Sequence, residues 1–229
     1  MEYRIPHVSR RMIGKVNIFD LQGDIKENLI DGIRSYIESY IKECHFNNVI
    51  LNIQSVKEPE TDVTHSILQI LEIPKKSAVF ADSKEKIDHF THGYQSKKMK
   101  SCCAQKDIVS LFCKELIEKD KVINFNERRK SKRIKSALDA EIDFIDSKNN
   151  TVHSQAIITN ISDDGIFAEY LDLSSSLNVH DLDYFKNLTA RIAMQNPDQS
   201  KENLLEYYGN ILRLEFSGNQ AGIAIQFRK

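Results

Sequence analysis

Glycine is scarce in this chain, eight among 229 residues, and none falls in a Gly-x-Gly-x-x-Gly or Gly-x-x-x-x-Gly-Lys pattern. Phosphate-cradling loops of those two kinds are therefore excluded. Excess charge of one sign is missing too. Thirty-two basic residues stand against 33 acidic ones, a net charge of −1, so no global field draws the protein to nucleic acid or membrane, and any electrostatic function has to be local. No apolar run approaches the roughly 18 residues that a membrane helix needs. The opening "MEYRIPHVSRR" has no signal-peptide core. A cytoplasmic protein without a membrane span is expected. The four cysteines, Cys44, Cys102, Cys103 and Cys113, all lie in the first half and form no paired framework, as expected of reduced thiols. Internal repeats and low-complexity tracts are absent.

Catalytic and metal signatures are also missing. No Ser/His/Asp or Cys/His grouping stands out, and paired carboxylates mean little where 28% of residues are charged. The order His89-x-x-His92, then Cys102-Cys103, superficially resembles a metal site. Its spacing departs from the usual zinc patterns, and histidines on a helix surface account for it better. The expectation is a protein that is not an enzyme, with no metal and no cofactor.

What is present falls into two halves with different patterning. The chain is long enough for two small domains, each with its own core. In the first half, strand-like runs at 16–19, 48–53, 78–80 and 100–103 alternate with helical patterns at 27–44, 62–71, 84–92 and 106–117. Leu29, Ile30, Ile33, Ile37 and Ile41 recur at helical spacing. "NVILNI" (48–53) is almost wholly apolar, as suits a strand covered on both faces. Such alternation predicts a sheet with helices packed on it. In the second half, Leu138, Ala140, Ile142 and Phe144 alternate with Asp139, Glu141 and Asp143, and Ile223, Ile225 and Phe227 repeat the pattern. Further strand runs at 155–160, 165–170, 188–194 and 205–214, without long helices, predict a small antiparallel barrel. Periodicity fails and charge rises in "EKDKVINFNERRKSKR". The boundary is placed near 122, giving an α/β domain over 1–121 and a barrel domain over 122–229.

The candidate chemistry lies in a cationic arm and a turn. Six of the eight residues from Arg128 to Lys135 are basic. Such a run alone reads as a solvated linker or a nucleic-acid patch. Here Arg129-x-x-x-Arg133 stands just before the barrel, and Asn160-x-Ser162-x-x-Gly165 lies between two of its strands. An arginine fork can meet guanine O6 and N7, stack on a purine face, or clamp phosphate. Asn160 can exchange hydrogen bonds with a base edge and Ser162 can offer a hydroxyl to phosphate. Gly165 suits a tight turn, with a positive φ open to it, and a close backbone approach. These are parts that a compact guanine nucleotide with internal phosphates requires.

At "RKSKR" (129–133) and "NISDDG" (160–165) the sequence resembles the PilZ family of bacterial cyclic di-GMP receptors, from about Glu127 to the C-terminus. The resemblance implies a six-stranded barrel with the ligand held between the arginine arm and the barrel face. Arg129 and Arg133 would grip guanine and phosphate, Asn160 and Ser162 would contact them, and Gly165 would shape the turn. Arg128 and Lys132 hold no motif position and would add supporting charge. Over about 1–120, "VNIFDLQGDI", a helix, "NVILNIQSV" and a second helix are similar to the STAS domain of anti-sigma-factor antagonists. That family's phosphoregulated members carry Asp-Ser-x-Gly at the next helix start, whereas this chain reads Glu60-Thr61-Asp62-Val63. Thr61 lies at the serine position, but the glycine is gone, and a helix cap accounts for Thr61 and Asp62.

Together these readings describe a cyclic di-GMP receptor. Its arm is ordered by nucleotide, and its N-terminal α/β domain, STAS-like, contacts an unidentified protein partner. Two alternatives stay open: an adaptor that does not bind nucleotide, and a nucleic-acid binder using run 128–135. The second would want interleaved aromatics, and between 126 and 136 there are none.

Overall fold

The computed structural model describes residues 7–43, 46–57, 61–117, 133–170, 187–195, 204–217 and 220–228. The chain divides into two compact units, Met1–Glu115 and Leu116–Lys229. The joint expected near residue 122 lies outside the described residues.

In the first unit the order is β1 (Val8–Ile13), β2 (Val16–Gly23), α1 (Glu27–Glu43), β3 (Asn48–Val56), α2 (Thr61–Ile70), β4 (Lys76–Phe80), α3 (Lys84–Phe90), β5 (Met99–Cys102) and α4 (Gln105–Ile117). The strands form one sheet in that same order. β1 runs antiparallel to β2, and the remaining pairs are parallel. Val49, Leu51 and Ile53 of β3 share a core with Ile30, Ile33, Ile37 and Ile41 of α1 and with Ile67 and Leu68 of α2. Ile50, on the opposite face of β3, is fully buried as well, which is why this strand reads as a continuous apolar run. Ser83 caps α3 by accepting a hydrogen bond from the Lys86 amide at 3.2 Å. α4 is kinked at Phe112, and its end is held by Lys76 Nζ on Glu115 Oε1 at 2.7 Å. Burial pushes the Cys102 thiol up to about 12, with the negative field of Asp107 adding to the effect. α2 starts at Thr61; the side chains of residues 61–63 lie outside the description.

The second unit contains β6 (Ile134–Ile145), β7 (Thr151–Ser162), β8 (Gly165–Glu169), β9 (Thr189–Gln195), β10 (Leu204–Ser217) and β11 (Gln220–Phe227). They close into an antiparallel barrel in the order β10-β11-β8-β7-β6-β9. This is the expected fold class, α/β plus a six-stranded antiparallel barrel. Inside lie Ala140, Ile142 and Phe144 of β6, Ala156 and Ile158 of β7, Ala190 and Ile192 of β9, and Ile223 and Ile225 of β11. On the outer face Arg191 bridges β6 and β10, donating to Asp143 at 2.8 Å and to Glu206 at 2.5 Å. Burial alone would raise the Asp143 pKa, but hydrogen bonds from His153 and Arg191 hold it below the usual carboxylate range.

β1 is the one strand that the sequence pattern did not predict, because "VSRRMI" breaks the alternation with two arginines. The physical reason lies in Arg11, which is only 4% exposed. Its guanidinium makes a two-point contact with Asp20 of β2, Nε to Oδ2 at 2.6 Å and Nη2 to Oδ1 at 2.9 Å. Asn52 of β3 donates to the same Asp20 Oδ1 at 2.7 Å. Three adjacent strands are thus laced by one carboxylate. Asp20→Ala removes the two-point partner of a buried cation, and urea unfolding should show a loss of about 3 kcal/mol. Adding Arg11→Met should recover much of that loss, since an apolar side chain of similar length replaces the buried charge.

Candidate functional site

Side chains alternate between the two faces of a strand, so whether a residue meets solvent or core is a matter of parity. Along β7 the inward set is Ala156 and Ile158, and then Ile161, which also packs against the core. The interval changes from two to three because the β7–β8 pairing carries a bulge between Ile158 and Asn160. The bulge at Thr159 turns Asn160 and Ser162 outward; in unbroken alternation from Ile158 both would point into the barrel. The structure therefore corrects one element of the sequence reading. The strand expected over 155–160 runs on through Ser162, so Asn160-x-Ser162 is the last stretch of β7, and the hairpin turn is only Asp163-Asp164, with Ser162 paired opposite Gly165.

Gly165 calls for a second correction. It is not among the glycines with positive φ, which are Gly14, Gly23 and Gly93 among the described residues. The constraint is proximity. A Cβ on Gly165 would stand 2.1 Å from the Ile225 carbonyl oxygen and 3.1 Å from Gln226 Cα. Glycine is required because β8 and β11 meet there. Ser162 Oγ donates to the Gly165 carbonyl at 3.2 Å and ties the two ends of the turn together. Asn160 Nδ2 reaches Thr159 Oγ1 at 3.5 Å, a long contact that leaves the amide able to form stronger bonds.

Arg133, Asn160, Ser162 and Gly165 line one cavity of about 250 Å³. Arg133 is exposed and directly precedes β6. Ile134 and Lys135 pair with Ile161 and Asn160, so the head of β6 brings the arm's last arginine to the altered end of β7. The cavity floor continues through Phe167 of β8 and Ala224 and Gln226 of β11 to Leu212 of β10. Sequence reasoning missed these four. The usable signal was the alternation of Ile223 and Ile225, which leaves 224 and 226 on the outer face. Arg128, Arg129 and Lys132 lie outside the described residues. Of the other cluster noted in the sequence, Cys102 is buried and Cys103 half-buried.

No family model matches the sequence, and no curated protein matches it. Among solved structures the chain is similar to the Bacillus subtilis inhibitor of motility MotI/DgrA, at 16% identity and TM-score 0.32, over 45% of this chain and 43% of that one. It is similar to the anti-sigma factor antagonist SpoIIAA in its unphosphorylated form, at 12% identity and TM-score 0.35, over 45% and 94%. It is also similar to Escherichia coli YcgR in complex with c-di-GMP, at 12% identity and TM-score 0.29, over 45% and 39%. The match thus spans less than half the length of MotI/DgrA and of that YcgR chain. At these scores the likenesses carry no inference about what the chain does.

The close approach at Gly165 makes a sharp expectation. Gly165→Ala should cost about 1–3 kcal/mol through displacement of β11. It should also lower amide-exchange protection at the Gly165–Gln226 end of the barrel while leaving the Asp143–Arg191 end unchanged. A variant with parental exchange throughout would show that β11 gives way without cost.

Proposed function

We propose that the barrel is a receptor for cyclic di-GMP. The observation that supports this reading most is the convergence of Arg133, from the first motif, with Asn160, Ser162 and Gly165, from the second, on one cavity. Twenty-six residues separate Arg133 from Asn160 in the chain, and only the bulged β7 and the head of β6 bring them together. A ring of two phosphates and two guanines offers what this set can bind: anionic oxygens for arginine and hydroxyl groups, and base edges for a carboxamide. The cavity is smaller than the roughly 300–1,000 Å³ that encloses a drug-sized ligand. In this reading the barrel face is one wall of the site, and Arg129, with Arg128 and Lys132 beside it in the sequence, would supply the other.

Titration of the full chain with cyclic di-GMP, GMP and single-stranded DNA by calorimetry tests the reading. Binding of cyclic di-GMP far tighter than of GMP supports it. Preference for single-stranded DNA would favour a nucleic-acid binder, and no binding at all would leave an adaptor. Arg129→Ala and Arg133→Ala should each weaken cyclic di-GMP binding by about 10- to 100-fold, the worth of one charge-assisted contact. Arg129→Lys should be nearly as damaging, since lysine lacks the planar fork.

The second part of the proposal concerns transmission. A ligand that fixes Arg129 and Arg133 to the barrel also restrains the chain from Glu118 to Glu127, which leads directly to the N-terminal unit. Nucleotide binding then changes how that unit is presented to a protein partner, an ordering switch rather than a long-range relay. Spin-label distances between the two units should shift with cyclic di-GMP in the parent. A Gly/Ser insertion after Asn124 should keep the affinity and lose the shift. Distances indifferent to ligand in the parent would mean two independent units.

A further inference from the structure

Leu212 is a large apolar side chain left 59% exposed, and it sits at an irregularity of the backbone pairing. In the β10–β11 ladder Ile211 pairs with Ile225 and Arg213 with Ala224, so a bulge leaves Leu212 without an opposite number. Before the bulge the inward residues of β10 include Leu205, Tyr207 and Ile211; after it the inward residue is Leu214. Leu212 follows the inward Ile211 and so points outward, and the bulge leaves it without a cross-strand neighbour on β11 while turning Arg213 to the same outer face. Leu212 lines the cavity that holds those two side chains and Arg133. Between the two rims β8 contributes Gly165 and Phe167 to the lining, and β11 contributes Ala224 and Gln226. Arg133 stands at the β6 rim and Leu212 at the β10 rim.

A site for free phosphate would have no use for an exposed leucine at its edge. A flat heterocycle would, because a purine presents polar edges and an apolar face. We propose that Leu212 is the base-packing residue of this site: its side chain covers the face of one guanine while Asn160 and Arg133 meet polar edges and phosphate. This rests on the receptor reading above and adds to it a determinant for a base over a bare anion. Exposed apolar surface in the ligand-free chain then becomes buried on binding, and affinity depends on it independently of charge.

The test uses the full chain with Leu212→Ser and Leu212→Met, titrated with cyclic di-GMP by calorimetry at low and high salt. L212S should bind about tenfold more weakly than the parent, and L212M within about twofold of it. The salt dependence of L212S should parallel that of the parent, because no ionic contact is lost, whereas Arg133→Ala should flatten it. Both Leu212 variants should melt with the parent, since the side chain lies outside the barrel core. L212S binding as tightly as a parent that itself binds would overturn the role of Leu212 and leave the receptor reading standing. An equal loss in L212S and L212M would assign the effect to bulge geometry and overturn it as well. A parent that does not bind cyclic di-GMP overturns both.

Discussion

One extra residue in β7 governs the rest of the barrel's outer face. A strand in perfect alternation would send Asn160 and Ser162 inward beside Ile158, exchanging polar groups for apolar ones in a core that has no water to satisfy them. Thr159 absorbs the step, and its own side chain is only 2% exposed. β6 carries a matching irregularity between Lys135 and Leu138, and Ser136 Oγ reaches back to the Ile158 carbonyl at 3.0 Å. The two strands are therefore pinned together where both depart from regular pairing. The β10 bulge makes a third such departure on the same face. A closed barrel has no free edge at which to relax, so each irregularity must be met by its neighbours, and here they border one cavity.

The close meeting of β8 and β11 works in the same direction. A side chain at 165 would push the Ile225 carbonyl away and raise the floor between Arg133 and Leu212. Glycine there serves register and recess at once. The Asp164 carbonyl accepts the Phe227 amide at 2.9 Å, so the hairpin turn is anchored to the strand that passes beneath it. The turn and the last strand of the barrel are one mechanical piece.

Most of the element order was legible because apolar spacing reports burial directly. Val49 to Ile53 and Ile30 to Ile41 show a doubly covered strand and the inner face of a helix. The motif residues were legible as residue types, and the separation of the two motifs in the chain suited a shared site. What could not be read was the parity along β7. Ile158 and Ile161 are three apart, which period-two alternation does not anticipate, and the strand was accordingly ended at 160. The misreading of Gly165 has a related source. A glycine after two aspartates suggests a left-handed turn residue, while the real constraint comes from Ile225, sixty residues later. β1 was hidden for an electrostatic reason: a buried arginine looks like a surface residue until its carboxylate is located on the adjacent strand.

The two units deal with strand edges in opposite ways. The barrel has none, but the first unit's sheet ends at β1 and β5. β5 is four residues long, and its Lys100 and Ser101 are exposed. β1 carries Arg10, whose guanidinium lies over the Tyr40 ring at 4.4 Å, beside the buried Arg11. A newcomer strand pairing with β1 would have to lie along a charged margin, and one pairing with β5 would find too short a template. These margins should therefore make the unit a poor seed for chain-to-chain sheet growth.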